Sequence, residues 1–278
     1  MHKEFIASYT ALRAEETITK KVRKRKPSNR IDAVLQTTHD VLLFVLRYLK
    51  NNPTQEAHAA AWGMYQGQAH PHLQFGLRVV RRTLMHSDML PARNNIDLAE
   101  RREVLSRDKR KKMRLDATER QIERPSNPQE QRQMYSGKKR HALKNLLVND
   151  ADNHVHFLRH TFPGSVHDKR CADTIDFLMP EETEVFQDTG FQGLTIANVS
   201  PHQPTKKPRV TELTSEQKQR NRAISRERMP IEHSIGGAKV FRIVKETLRL
   251  GSAWFRDILM EVCVGLAHFK NYRRRAPY

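Results

Sequence analysis

Three carboxylates stand where they could act together on a phosphodiester. Asp116 ends the strand-like pattern Lys112-Met113-Arg114-Leu115-Asp116, Asp188 ends a second one, Glu184-Val185-Phe186-Gln187-Asp188, and Glu232 lies on a later helical pattern. If the two strands are parallel neighbours, their C-terminal ends lie side by side, and ligand sites in α/β sheets form at such ends. Converging acidic side chains repel one another unless cations neutralise them. Hard oxygen ligands at an open site suit Mg²⁺ or Mn²⁺. Two such ions about 3.5 to 4 Å apart activate a nucleophile and stabilise a leaving oxygen in phosphodiester chemistry. Asp116, Asp188 and Glu232 are therefore the candidate metal-binding and catalytic residues.

The cations around them fit the same chemistry. Arg228 is four residues before Glu232 and Lys239 seven after it, so on a continuous helix all three share a face. Glu232 would hold metal while Arg228 and Lys239 hold phosphates. Spacing alone equally describes a salt-bridged surface helix. Gly236 and Gly237 each cost a helix about 1 kcal/mol relative to Ala, which suggests that something, such as a backbone, approaches closely. Lys138, Lys139, Arg140, His141 and Lys144 form a basic cluster leading into a strand, and Lys206, Lys207 and Arg209 sit in a loop around Pro204 and Pro208. Both groups are candidate phosphate contacts. Asp168 reads as a first-turn acid favoured by the helix dipole. His167 and Cys171 are spaced i, i+4, but no matching pair completes a zinc site.

The whole chain has the charge such a site needs. It has 278 residues, and 50 Lys and Arg against 31 Asp and Glu leave a net charge of +19. That excess implies a polyanionic partner, most commonly nucleic acid. An anionic membrane would call for a basic amphipathic helix with Trp or Phe on its other face, and none is found. The longest apolar stretch, Val41 to Leu46, falls far short of the roughly 20 residues that span a bilayer. No secretory signal opens the chain, and two cysteines cannot form a disulfide framework, so a reducing, intracellular setting is expected.

The elements that must position the site follow from periodicity. Residues 1–30 read as a basic N-terminal arm, in which the run Lys20 to Lys26 is mobile. Residues 31–93 read as a helical domain. In it, a helix from Ile31 to Leu49 ends at Asn51-Asn52-Pro53, a short helix is capped by Thr54, and a third runs through Leu73, Leu77, Val80 and Leu84. The last two, with Gly63 at the turn, resemble a helix-turn-helix, although a generic helical hairpin gives the same pattern and Pro71 interrupts the second helix. A linker over 94–110 precedes a mixed α/β domain over 111–278. Its expected strands are 112–116, 141–148, 154–162, 184–188 and 194–199. Its expected helices are Val166 to Leu178 with Ser165 as N-cap, a polar helix through Arg228, another carrying Glu232, and a closing helix from Ser252 to Tyr272.

The segments LDATERQIERPSNPQEQRQMYSGKKRHALKN, FPGSVHDKR, FQDTGFQG, PTKKPR and ERMPIEHSIGGAKVFRIV resemble, in order and spacing, insertion-sequence transposases of the DDE superfamily. More narrowly, they resemble the bacterial group related to eukaryotic Harbinger transposases within insertion-sequence family five. The resemblance is close over Leu115 to Lys270 and looser over Ile31 to Arg93. It matches Asp116 to the first catalytic Asp, Asp188 to the second, followed by Gly190 and Phe191, and Glu232 to the catalytic Glu. Arg228 and Lys239 match the basic residues around that Glu, whereas Ser225 stands where many members carry Tyr. The resemblance implies an RNase H-like mixed-sheet catalytic core with an N-terminal helix-turn-helix-like domain. It also implies a transposase dependent on divalent metal, Mg²⁺ or Mn²⁺, with two ions. Water and then a DNA 3′-OH would attack phosphodiesters at terminal inverted repeats and in target double-stranded DNA. An oligomer on DNA, in the bacterial cytoplasm and associated with the nucleoid, completes the expectation. Two other readings are a catalytically inactive transposase-derived DNA-binding protein and a general RNase H-like nuclease.

Overall fold

The computed structural model describes residues 1–28, 33–94, 112–173, 179, 183–196, 199–249 and 251–275. The expected linker thus lies outside the described residues apart from Asn94. The chain forms two compact units, one comprising Met1–Leu90, Lys239–Arg249 and Ile258–Tyr278, the other Pro91–Ala238 and Leu250–Asp257. No helix among the described residues is long and apolar enough to cross a membrane.

The first unit is helical. Helices α1 (His2–Glu15), α2 (Thr38–Asn51), α3 (Gln55–Ala60) and α4 (Gln66–His86) make up its N-terminal part. Half of the basic arm expected over residues 1–30 is the helix α1. Phe5 of α1 is fully buried, Tyr9 meets Phe75 edge-on, and Arg78 and Arg82 of α4 pair with Glu16 and Glu15 at 2.8 and 3.0 Å. Within α1 only Phe5 and Ser8 are buried, so its periodic signal is weak, and α4 stabilises the helix instead. The other starts are local. Thr37 and Asp40 form a capping box on α2, and Thr54 caps α3 through Ala57 N–H. Asn52, in a left-handed conformation at φ 48°, ends α2 before Pro53. Gly76 lets α2 and α4 touch, since a Cβ there would lie 2.3 Å from Val45 Cγ2.

The second unit is built on a mixed sheet. Its strands are β1 (Lys112–Gln121), β2 (Ala142–Asn149), β3 (Val155–Leu158), β4 (Phe162–Pro163), β5 (Thr183–Gln187) and β6 (Val199–His202). Helix α5 (Pro128–Met134) lies between β1 and β2, α6 (Asp168–Asp173) between β4 and β5, and α7 (Ser215–Lys239) follows β6. Two further helices, α8 (Arg242–Lys245) and α9 (Ala253–Arg275), complete the chain's described helices. The sheet has six strands in the order β3-β2-β1-β5-β6, with β4 also paired to β2. β1, β2 and β3 are successively antiparallel, and β5 and β6 run parallel to β1.

Several boundaries differ from expectation. β1 continues to Gln121, so Asp116 lies within it rather than at its end. The alternation stops after Ala117, where Glu119 and Gln121 take the positions of the apolar face, while Thr118 and Arg120 on the other face are buried. The strand expected over 154–162 is divided into β3 and β4, and the fifth strand falls at 199–202 instead of 194–199, with Leu194 and Ile196 packed in the core. Helix α6 starts at Asp168, and residues 174–178 of the expected helix lie outside the described residues. The two helices expected around Glu232 are one, since α7 passes through Pro230. One sheet face carries the apolar core of Met113, Leu115, Leu146, Val148, Phe157 and Val185. The other sets polar groups among buried Leu143, Leu147, Leu158 and Phe186: Arg114 donates to Glu227 of α7, Asn149 to Ser234, and Arg120 to Asn145 and Thr161.

Candidate active site

Parallel pairing of β1 and β5 aligns Leu115 with Gln187, which places the following residues, Asp116 and Asp188, next to each other. α7 lies on the face that carries Arg114 and Asn149 and brings Arg228 to both. Its Nη1 donates to Asp188 Oδ1 at 3.2 Å and its Nη2 to Asp116 Oδ2 at 3.5 Å. The other Asp116 oxygen accepts the Ala117 N–H at 2.8 Å. Asp116 is 21% exposed, Arg228 13% and Asp188 47%, so the pocket is walled on one side and open at Asp188. Burial pushes the Asp116 carboxyl up to about 6; Arg228 and the Ala117 N–H oppose that, while Asp188 and Asp168 add like charge. Pushed-up carboxyls beside a charge partner in a cleft are a signature of functional sites.

Asp168 belongs to this site as well, which its place in the first turn of a helix did not reveal. Its Oδ1 accepts from Lys144 Nζ at 3.0 Å, and its Oδ2 lies 3.1 Å from where a Cβ on Gly190 would sit, so residue 190 cannot carry a side chain without displacing it. Gly190 belongs to the turn Thr189–Phe191 that follows Asp188. The FPGSVHDKR segment was the only sequence signal for Asp168.

A family model described as DDE superfamily endonuclease matches residues 115–268, a span that holds Asp116, Asp188, Arg228 and Glu232. The chain belongs to the DDE superfamily endonucleases. The endonuclease is also 29% identical over 233 residues to a probable transposase for insertion sequence element IS702 of Microchaete diplosiphon, covering 82% of this chain and 78% of that protein. No solved structure matches it. DDE endonuclease domains generally use divalent metals, and the hard oxygens of Asp116 and Asp188 are donors suited to one.

The structure does not gather every expected residue of the endonuclease. Glu232 is exposed on α7, one turn beyond Arg228, and no described contact joins it to either aspartate. Among the described residues no three His, Cys, Asp or Glu side chains are grouped closely enough to hold a metal ion. Lys239 is the last residue of α7. Lys138 is 72% exposed and pairs with Glu119 at 3.0 Å, Lys139 and Arg140 are exposed beside it, and His141 meets Tyr135 edge-on. Lys144 departs from that exposed cluster. It is 10% exposed and bound to Asp168 and the Val166 carbonyl, because on β2 its side chain points inward from a strand buried along its length. Lys206 and Lys207 are exposed on the loop after β6, where Lys207 pairs with Glu212. Cys171 is buried, and burial pushes its thiol up to about 11.

Proposed function

We propose that this DDE endonuclease is the DNA transposase of an insertion sequence, cleaving phosphodiesters at the element's terminal inverted repeats and joining the freed 3′ ends to target DNA. The observation that carries the reading is the adjacency of Asp116 and Asp188 on parallel strands, bridged by Arg228, inside the segment matched to the endonuclease family. An antiparallel meander continued by parallel strands, with carboxylates across neighbouring strands, supports an RNase H-like core. The similarity to a probable insertion-sequence transposase supports the substrate class.

Asp116, Asp188 and Glu232 would hold divalent Mg²⁺ or Mn²⁺, in two ions. When bound, such metal supplies Lewis-acid polarisation of the phosphodiester and a more acidic water. Glu232 is on the same helix as Arg228, one turn away and on a similar face, and would supply the third carboxylate. Arg228 holds the two aspartates in place and offers a planar pair of donors to a phosphate oxygen. Lys239, Lys138, Lys139, Arg140, His141, Lys206 and Lys207 complete the proposed DNA contacts. Lys144 acts from within the site through Asp168. In the N-terminal unit, α3, the Gly63 turn at φ +65° and α4 would act as the helix-turn-helix. The chain would assemble as a homo-oligomer on nucleoid DNA in the bacterial cytoplasm.

The test is cleavage of a duplex carrying the terminal repeat in Mg²⁺ or Mn²⁺. Wild-type protein should cut it, and Asp116→Ala, Asp188→Ala and Glu232→Ala proteins should bind it without cutting. Undiminished cleavage by the Asp188→Ala protein would refute the assignment.

A further inference from the structure

Beside the carboxylates, two uncharged side chains tie the loop after β6 to the end of β5 and to α7. β5 and β6 are parallel, with Phe186 paired to His202, so the chain leaves both strands at the same end. Gln203, the first residue after β6, reaches back and donates from Nε2 to the Asp188 carbonyl at 2.6 Å. Two residues later the loop is clamped again. The Thr205 N–H donates to Asn221 Oδ1 at 2.8 Å, and Asn221 Nδ2 donates to the Thr205 carbonyl at 3.0 Å. Asn221 lies on α7 seven residues before Arg228, two turns away on nearly the same face. The loop is thus tied to the strand end that bears one aspartate and to the helix that bears the arginine between both.

The clamped elements present an exposed cationic surface. Lys206 and Lys207 are exposed on the loop, and Lys218 and Arg222 are exposed on α7, one turn before and one residue after Asn221. Among the described residues Glu212 pairs with Lys207 and lies 4.0 Å from Lys218. Lys218 and Arg222 are about 6 Å apart along the helix axis, close to two phosphate steps of about 3.4 Å on one DNA strand.

We propose that Lys206, Lys207, Lys218 and Arg222 form a ledge for the phosphodiester backbone of DNA entering the site, and that Asn221 and Gln203 are positioning residues that hold this ledge in register with Asp188. The inference rests on the reading of the chain as a DNA-cleaving enzyme and adds Lys218, Arg222, Asn221 and Gln203 to it. A solvated surface of cations needs no such clamp: a two-bond side-chain grip on loop backbone fixes where the lysines stand, which matters only if they meet something with a fixed spacing of charge.

The test uses the full chain and two duplexes of equal length, one with the terminal repeat and one scrambled, with affinity measured from about 50 to about 200 mM salt, where counterion release is read most directly. Each lost phosphate contact lowers the slope of log affinity against log salt by about 0.9, so Lys218→Gln/Arg222→Gln should lower it by about 1.8 on both duplexes alike. Asn221→Ala should lower the slope too, and adding Lys206→Gln and Lys207→Gln to it should change the slope less than the same two substitutions do in wild-type protein. That non-additivity is what action through the loop predicts and a purely structural role does not. Thermal unfolding confirms that each variant is folded. An unchanged slope in folded Lys218→Gln/Arg222→Gln protein overturns the ledge, and full additivity with Asn221→Ala overturns the clamp. If wild-type protein shows these slopes yet cuts neither duplex in Mg²⁺ or Mn²⁺, the ledge stands and the nuclease reading fails.

Discussion

Replacing Arg228 by Met removes the cation between Asp116 and Asp188 while keeping a helix former of similar length. At 3.5 Å from Asp116 the guanidinium contributes about 5 kcal/mol at an effective dielectric of 20. Asp116 retains 21% exposure and the arginine gives up hydration to be there, so a net of about 2 kcal/mol is the reasonable share. Each 1.36 kcal/mol is a tenfold change in proton affinity. The Asp116 carboxyl, already at about 6, would therefore move above neutrality. A protonated carboxyl is a poor metal ligand, and metal competes with that proton. With metal below saturation, the acidic limb of kcat/KM for cleavage should shift to higher pH by more than one pH unit (about 1.5), and activity at pH 7 should fall roughly fourfold, recovering toward pH 9. Arg228→Lys, which keeps one charge and loses the fork, should fall between. An acidic limb that stays in place in the Met variant, with the protein folded, would refute the claim that Arg228 sets the proton affinity of Asp116.

Two further outcomes concern stability. A Cβ on Gly164 would meet the Ala142 and Met134 carbonyl oxygens at 2.6 Å, so Gly164→Ala should destabilise the sheet unit by about 1 to 3 kcal/mol, read as a lowered urea midpoint with unchanged slope. His58 is 2% exposed, bonded to the Phe44 carbonyl at 3.0 Å, and burial pushes its imidazole down to about 4. Between about pH 6.5 and 4 the unfolded chain binds a proton that the folded chain refuses, so this contribution is present above that window and lost as pH falls through it, by at most about 3 kcal/mol. Measured across that window, wild-type protein should lose stability relative to His58→Gln, and a constant difference between the two would count against a buried neutral imidazole.

Much of the local structure was legible because local chemistry determines it. Thr54, and Asn52 before Pro53, mark helix ends through bonds made within a few residues, whereas the start of α2 at Thr38, capped by Thr37 and Asp40, falls after the expected Ile31. The alternation over 112–116 and 184–188 located two strands, and the choice of Asp at their ends suggested metal chemistry. α1 was not legible, since its burial of Phe5 depends on α4, more than 60 residues away in the chain. The continuation of β1 beyond Asp116 was hidden because Thr118 and Arg120 find their partners on β2 and at Thr161 rather than in an apolar layer.

The amino-acid order by itself determined the charge of +19, the helical and strand periods, and which residue types were at hand for phosphodiester chemistry. Tertiary structure alone decided which of them meet. Strand pairing joins residues 72 apart, Leu115 and Gln187 being aligned, and nothing in a period of two names the neighbouring strand. The same pairing set Asp116 beside Asp188 and left Glu232 on the exposed side of α7. It drew Asp168 in through Lys144 and brought Asn221 against Thr205. Those contacts arise only once the sheet has closed, because the geometry of an active site belongs to distances in space that the chain's own spacing does not contain.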